Sequence, residues 1–296
     1  MSGPVHLRPR SPESRAAWRW HEFRLPLVPG RVSAAIGRFV LTRAAPTVIV
    51  DLPFGYAMYC DLAEYVQCTI AMNGEWEGEI FDACAPLVRA GEVVLDVGAH
   101  VGYASLRLAA MTGRAGRVVA FEPLSAHREA VAAQFALNGL SAQLTLVDAA
   151  ASDRAGSASF SVPGGANAGV GALATTKLGT LTVPTIRLDD WLDEAGITSV
   201  ALCKMDIEGA EALALPGLSR FLADGRIGAL LLELHPDELP HFGSSVDEVV
   251  ALLTSHGYQL RFWEQPGAFR DGPRSADSTY LLAIAPGRAW PQEGAP

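Results

Sequence analysis

The stretch that most constrains this chain is Val93-Val94-Leu95-Asp96-Val97-Gly98-Ala99-His100-Val101-Gly102-Tyr103. It starts as an apolar, β-branched run, the pattern of a parallel strand buried on both faces. Gly98 and Gly102 then permit a tight turn and a close approach of backbone to ligand. From Tyr103 the residues Ala104 to Ala110 take up helical spacing. Strand, glycine turn and helix N-terminus together leave unpaired amides aimed at one point, a site suited to a nucleotide-like ligand. A dinucleotide fold asks for G-x-G-x-x-G, whereas here two glycines remain and an acid ends the strand.

An acid in that place would repel a pyrophosphate and suit a ligand carrying a sulfonium or ammonium group, which points to S-adenosylmethionine. About 20 residues past Gly102 comes Arg117-Val118-Val119-Ala120-Phe121-Glu122-Pro123, a second short strand ending in an acid. A carboxylate at this offset can accept hydrogen bonds from both ribose hydroxyls.

The rest of the chain alternates strand and helix. Helical stretches are expected from Trp76 to Cys84, over Ala126–Leu137 (stopped at Asn138-Gly139), Leu188–Ala195 and Val246–His256. Strands are expected at Gln143–Val147, Ser199–Met205, Ile227–Leu234, Gln259–Trp263 and Thr279–Ile284. Ser157–Ser161 and Leu181–Ile186 read as a β-pair around the Gly/Ala/Thr-rich loop 164–180. Thr47–Leu52 and Ala57–Tyr59 form a β-rich lead-in. Such alternation implies an α/β fold, a Rossmann-like sheet, mostly parallel with an antiparallel edge strand and helices on both faces. The expected organisation is a basic N-terminal arm over 1–45, a β-rich and helical lead-in over 46–90, a catalytic domain over 91–286 and a flexible tail over 287–296.

With 296 residues the chain can bury a sizeable core, and its net charge of −9 argues against non-specific nucleic-acid binding. The charge is uneven: eight arginines against two glutamates leave +6 in residues 1–45, and hence −15 in the remainder. The arm, with Trp18 and Trp20, is expected to carry a short helix near Arg31–Leu41 and to act as a lid or a homo-oligomer contact; a solvated extension is the plainer alternative. Cys60, Cys68, Cys84 and Cys203 lack C-x-x-C spacing, so neither a disulfide framework nor a zinc site is indicated, and a reducing cytoplasm fits. No apolar run reaches membrane-spanning length, and the arginine-rich start lacks the apolar segment of a signal peptide.

Asp96, Glu122, Asp148, Asp206 and His235 each fall at or just past a strand's carboxyl end, the edge at which open α/β sheets bind ligands. Helix capping would explain Asp206 or Glu208, but not the whole set. Together with Phe121-Glu122-Pro123, Asn138-Gly139-Leu140, Lys204-Met205-Asp206-Ile207-Glu208-Gly209-Ala210-Glu211 and Leu232-Glu233-Leu234-His235-Pro236, the opening stretch resembles the FkbM family of S-adenosylmethionine-dependent methyltransferases over roughly residues 70–265. Lys-x-Asp-x-Glu-Gly-Ala-Glu is the more specific signature. Family members commonly have Asn where this chain has His100.

The resemblance implies O-methylation of a hydroxyl on a sugar, polyketide or other secondary metabolite. It implies that Asp96, Gly98 and Gly102 surround the methionine part, with Ala99, His100 and Tyr103 of the same turn also against the cofactor. Glu122, beside Pro123, would hold the ribose, and Asp148 and Ala149 would lie by the adenine. Glu77 would close over the methionyl end, although a glutamate favoured by the helix dipole is an equal reading. Asp206 would serve both cofactor and reaction. Base candidates are His235, Asp206 and Glu208; His235 is preferred because imidazole titrates near neutrality unperturbed. No residue is assigned to a metal. Two other functions fit parts of the pattern: a noncatalytic S-adenosylmethionine-binding module, and a nicotinamide-dependent oxidoreductase, which lacks its third glycine here.

Overall fold

Eight strands form the central sheet of the computed structural model, which describes residues 5–7, 47–161, 172–173, 180–264, 267–275 and 278–290. They are β1 (Val93–Val97), β2 (Arg117–Phe121), β3 (Leu144–Val147), β4 (Leu202–Met205), β5 (Ala229–Glu233), β6 (Gln259–Glu264), β7 (Ala268–Arg270) and β8 (Tyr280–Ile284). Across the sheet they lie in the order β3, β2, β1, β4, β5, β8, β6, β7. The first five are mutually parallel, as their near-continuous apolar runs require. β8 runs antiparallel between β5 and β6, and β7 closes the edge antiparallel to β6. The expected doubly wound sheet is therefore present. Its antiparallel edge strand is β7, and a further reversed strand, β8, is buried inside.

Alternate strand residues feed two apolar layers. Val94, Val118 and Ala120 pack with Leu106, Leu108, Val131 and Phe135 from helices Tyr103–Thr112 and Ser125–Leu137. Leu95, Val97, Val119 and Phe121 pack with Leu188, Leu192, Phe221 and Leu253 from helices Leu188–Glu194, Ser219–Ala223 and Val246–Ser255. The lead-in joins the first layer through Met58, Ile70 and Phe81. Its strand Ala57–Asp61 pairs with Thr47–Asp51. The strand's backbone also meets side-chain amides: Asn138 accepts from Ala57 N (2.8 Å) and donates to Ala57 O (2.7 Å), and Gln134 does the same at Tyr59. Two amides thus stand in for a neighbouring strand and fix the lead-in over helix Ser125–Leu137.

Helix Tyr65–Asn73 is absent from the sequence reading. Glu64 starts it, its carboxylate accepting from Val66 N and Gln67 N. The expected pair of Gly156–Ser161 with Thr180–Arg187 forms, joined by Ala150–Ser152 and Ala172–Leu173. In the arm, Val5–Leu7 pairs parallel with Val48–Val50. The helix near Arg31–Leu41, Trp18, Trp20, most of loop 164–180 and residues 291–296 lie outside the described residues. Among the described residues no helix is long and apolar enough to cross a membrane.

Candidate active site

The strand order reverses between β1 and β4, and the crevice of such a sheet opens beyond their carboxyl ends. Gly98 and Ala99 donate their N–H groups to Phe121 O, so the turn after β1 folds onto the end of β2. Gly98 has φ +85°, and a Cβ there would run into the carbonyl oxygen of Asp206, so only glycine lets the two strand ends close. Gly102, at φ +92°, serves the helix instead: a Cβ would meet Val131 Cα at 3.2 Å.

Glu122 closes this turn. Its Oε2 accepts from His100 N (2.8 Å), its Oε1 accepts from Leu124 N (2.9 Å), and His127 Nδ1 lies 3.4 Å from Oε1. A carboxylate offers about four lone-pair sites, so capacity remains for two ribose hydroxyls. His100 sits at φ +50°, a backbone region in which Asn is at ease, consistent with the residue commonly found there in the resembling family. Its ring stands edge-on to His127, its Nε2 is buried without a partner, and burial pushes its pKa down to about 4.

Asp96 does not reach the cavity, which corrects the expectation that it touches the methionine part. It is fully buried, accepts from the Ser105 hydroxyl (2.5 Å) and lies 3.6 Å from Lys204 Nζ, its register partner on β4. Burial raises its pKa, with Lys204 and Ser105 opposing. Lys204 also donates to Gly98 O and to Asp206 Oδ2, both at 3.2 Å. One ammonium therefore ties the floor acid, the glycine turn and the strand-end acid together. Lys204 carries no expected role of its own beyond its place in the Lys-x-Asp-x-Glu-Gly-Ala-Glu motif. Residues two apart on a strand share a face, so its proximity to Asp206 was legible.

The crevice encloses a cavity of about 340 Å³, within the range of small-molecule sites. Gly98, Ala99, His100, Tyr103, Glu122 and Pro123 line it, as do Ala149, Glu77, Asp206 and Glu208. Gly102 and Asp148 do not: the Asp148 carboxylate pairs with Arg128 at 2.6 Å and is 60% exposed, and that side of the cavity is lined by Ala149 with Phe160 and Leu173. Glu233 and Lys204 line the cavity without having been singled out. Glu233 accepts from the Tyr280 hydroxyl (2.7 Å), and burial together with Asp206 and Glu77 pushes its pKa up to about 8. Glu77, which starts helix Gly78–Cys84 at φ +53°, also has a raised pKa through burial.

Five carboxyl groups (Glu77, Glu122, Asp206, Glu208, Glu233) face the ammonium of Lys204, and even with Glu233 holding its proton at neutral pH the wall is hostile to a pyrophosphate and suited to a sulfonium and an ammonium. The acidity argued for Asp96 thus holds, but on other residues. With a carboxylate at Glu122 that keeps acceptor capacity and an apolar stretch at Ala149, Phe160 and Leu173, the lining residues fit S-adenosylmethionine.

At one margin of the cavity Asp206, Glu208 and His235 converge. His235 Nε2 lies 3.7 Å from Asp206 Oδ1 and 3.5 Å from Glu208 Oε2; its Nδ1 lies 3.3 Å from Glu211 Oε1, off the line of a good hydrogen bond. Burial alone would lower the imidazole pKa, but Glu211 first, then Asp206 and Glu208, raise it to about 9. His235 is therefore not the neutral-pH imidazole on which its choice as a free base rested. Burial also raises Glu208, whereas Lys204 overrides burial and lowers Asp206.

A sequence profile described as the Methyltransferase FkbM domain matches residues 96–260. Among curated proteins, the AMB antimetabolite synthetase AmbE of Pseudomonas aeruginosa is 26% identical over 81% of this chain and 12% of its own length. The 2-O-methyltransferase NoeI of Sinorhizobium fredii is 31% identical over 35% of this chain and 38% of its own. The chain thus spans well under half of either relative. A solved structure of the methyltransferase FkbM from Methylobacillus flagellatus superposes with a TM-score of 0.46 at 18% identity, covering 66% of this chain and 44% of that one.

Proposed function

The chain belongs to the FkbM methyltransferase family, and from that premise we propose that it is an S-adenosylmethionine-dependent enzyme that methylates a hydroxyl of a small molecule, a sugar, polyketide or other secondary metabolite. The observation that carries the reading is the convergence of Asp206 and Glu208, which line the cavity, with His235, which stands behind them outside its lining. Methyl transfer from a sulfonium needs little beyond in-line placement of nucleophile, carbon and sulfur, which can supply about 7–11 kcal/mol of the barrier. An alcohol differs from an amine or thiolate acceptor in having to lose a proton of high pKa, and the Asp206 and Glu208 carboxylates beside the donor answer that need. The relative described as a 2-O-methyltransferase supports the same chemistry, and the one described as an antimetabolite synthetase supports a small metabolite as acceptor. In this reading Glu122 holds the ribose, Ala149 borders the adenine, and Glu77, with Gly98 and Ala99, meets the methionyl end.

The test is to incubate the protein with S-adenosylmethionine labelled in its methyl group and a panel of sugar and polyketide alcohols. The expected product is an alkali-stable methyl ether. Label appearing only in an alkali-labile ester or on nitrogen would reject the O-methylation.

A further inference from the structure

We propose that Asp206, Glu208 and His235 form a binding site for a divalent first-row cation such as Mn²⁺ at the margin of the cofactor cavity. One donor atom from each residue lies within 4.8 Å of the other two. Two metal–ligand bonds of about 2.1 Å at right angles place their donor atoms about 3 Å apart, so the 3.5 and 3.7 Å separations from His235 Nε2 need to close by about 0.5–0.7 Å. The Asp206 and Glu208 side chains, 30% and 29% exposed, have room to make that movement. Lys204 occupies Asp206 Oδ2 and leaves Oδ1 turned to the imidazole, so the carboxylate presents one free oxygen to the cation.

The independent observation is Glu211. Its side chain is 1% exposed, its Oε2 has no partner, and its Oε1 stands behind His235 Nδ1. The hydrogen bond that Oε1 accepts from Ile207 N fixes it in that place. A buried carboxylate on the far nitrogen of an imidazole is the arrangement that orients a metal-binding histidine and raises its basicity. One imidazole and two carboxylates without thiolate favour an oxygen-preferring cation that accepts nitrogen, hence Mn²⁺ rather than Ca²⁺.

The binding site stands on geometry alone; its role rests on the methyl-transfer reading. Holding the acceptor hydroxyl, the cation would make that O–H more acidic. The O–H bond breaks with its proton passing to water, and the oxygen lone pair forms the bond to the methyl carbon. The C–S bond breaks with its electron pair left on sulfur, giving a methyl ether and neutral S-adenosylhomocysteine.

The test titrates Mn²⁺ into the full chain after chelator treatment and dialysis, following free Mn²⁺ by electron paramagnetic resonance, with S-adenosylmethionine binding measured calorimetrically on the same samples. The expected result is one saturable site per chain, weakened about 10-fold or more in His235→Gln and in Glu208→Gln. Glu211→Gln, which touches no cation, should weaken it about 10–100-fold; a loose acidic patch would not respond to that change. Glu208→Gln keeps the test open if a more buried variant fails to fold. Absence of a saturable site, or equal affinity in all variants, overturns the proposal. S-adenosylmethionine binding without a Mn²⁺ site would retire the cation and leave the methyl-transfer reading standing; a Mn²⁺ site without cofactor binding would do the reverse.

Discussion

At the scale of single residues, the cavity is organised by side chains that serve the backbone and the ligand at once. Glu122 accepts two backbone N–H groups across the glycine turn and, in the proposed reading, keeps lone pairs for the ribose. Charge-assisted hydrogen bonds are worth about 1.5–3 kcal/mol, so Glu122→Gln should weaken S-adenosylmethionine binding by roughly 10- to 100-fold in a folded protein, read by calorimetry. An unchanged dissociation constant would place the ribose elsewhere. Lys204 has the opposite character, a buried cation whose partners are all protein groups. Lys204→Met should strand Asp96 and Asp206 beside each other and cost about 3–5 kcal/mol in denaturant unfolding. A loss below about 1 kcal/mol would mean that Asp96 carries a proton and never needed the ammonium. The place of Glu122 in the cavity lining was legible from its offset to the glycine turn. Asp96 was misplaced because a strand-end position does not reveal which way the side chain faces. Glu233 and Glu211 escaped notice because their roles arise only when β4 and β5 lie side by side.

At the scale of elements, the meeting of the β1 turn with the end of β4 is the joint on which the site depends. Gly98→Ala would place a methyl group against Asp206 O at φ +85°, whereas Gly91→Ala, at φ +90°, meets nothing within 4 Å. The positive φ alone costs about 1–2 kcal/mol in each. The expected outcome is a loss of that size in Gly91→Ala with cofactor affinity intact, and a larger loss with cofactor affinity abolished in Gly98→Ala. Equal effects in the two variants would show that the strand ends do not need to close. The strands and helices around this joint were legible because their apolar runs and glycine stops are local. Helix Tyr65–Asn73 was not, since its buried face mixes Gln67 and Cys68 with Ile70 and Ala71 and shows no clean stripe. Strand β7 is only three residues long, below what a pattern can register.

At the scale of the whole molecule, stability and cofactor choice are both set by the charge of the cavity. His100 is held neutral, with a folded pKa of about 4 against 6.5 unfolded. The unfolded chain therefore takes up a proton that the native state refuses, so its contribution is intact above pH 6.5 and is lost as pH falls toward 4, up to about 3 kcal/mol. His100→Asn, with a side chain suited to the same φ, should flatten that part of the stability–pH curve; a curve unchanged in slope would show that the ring titrates normally. The parallel sheet and the acidic edge follow from alternation and strand-end acids, which a sequence displays; the strand order does not. The convergence of Glu77, Asp206 and Glu233 on one wall is a property of the crossover and appears only in three dimensions. The most direct test of the account is a calorimetric titration of the protein with S-adenosylhomocysteine, S-adenosylmethionine and NAD in turn. Saturable one-to-one binding of both adenosyl compounds, with no heat from NAD, is the predicted result. Saturable NAD binding with no response to either adenosyl compound would contradict it.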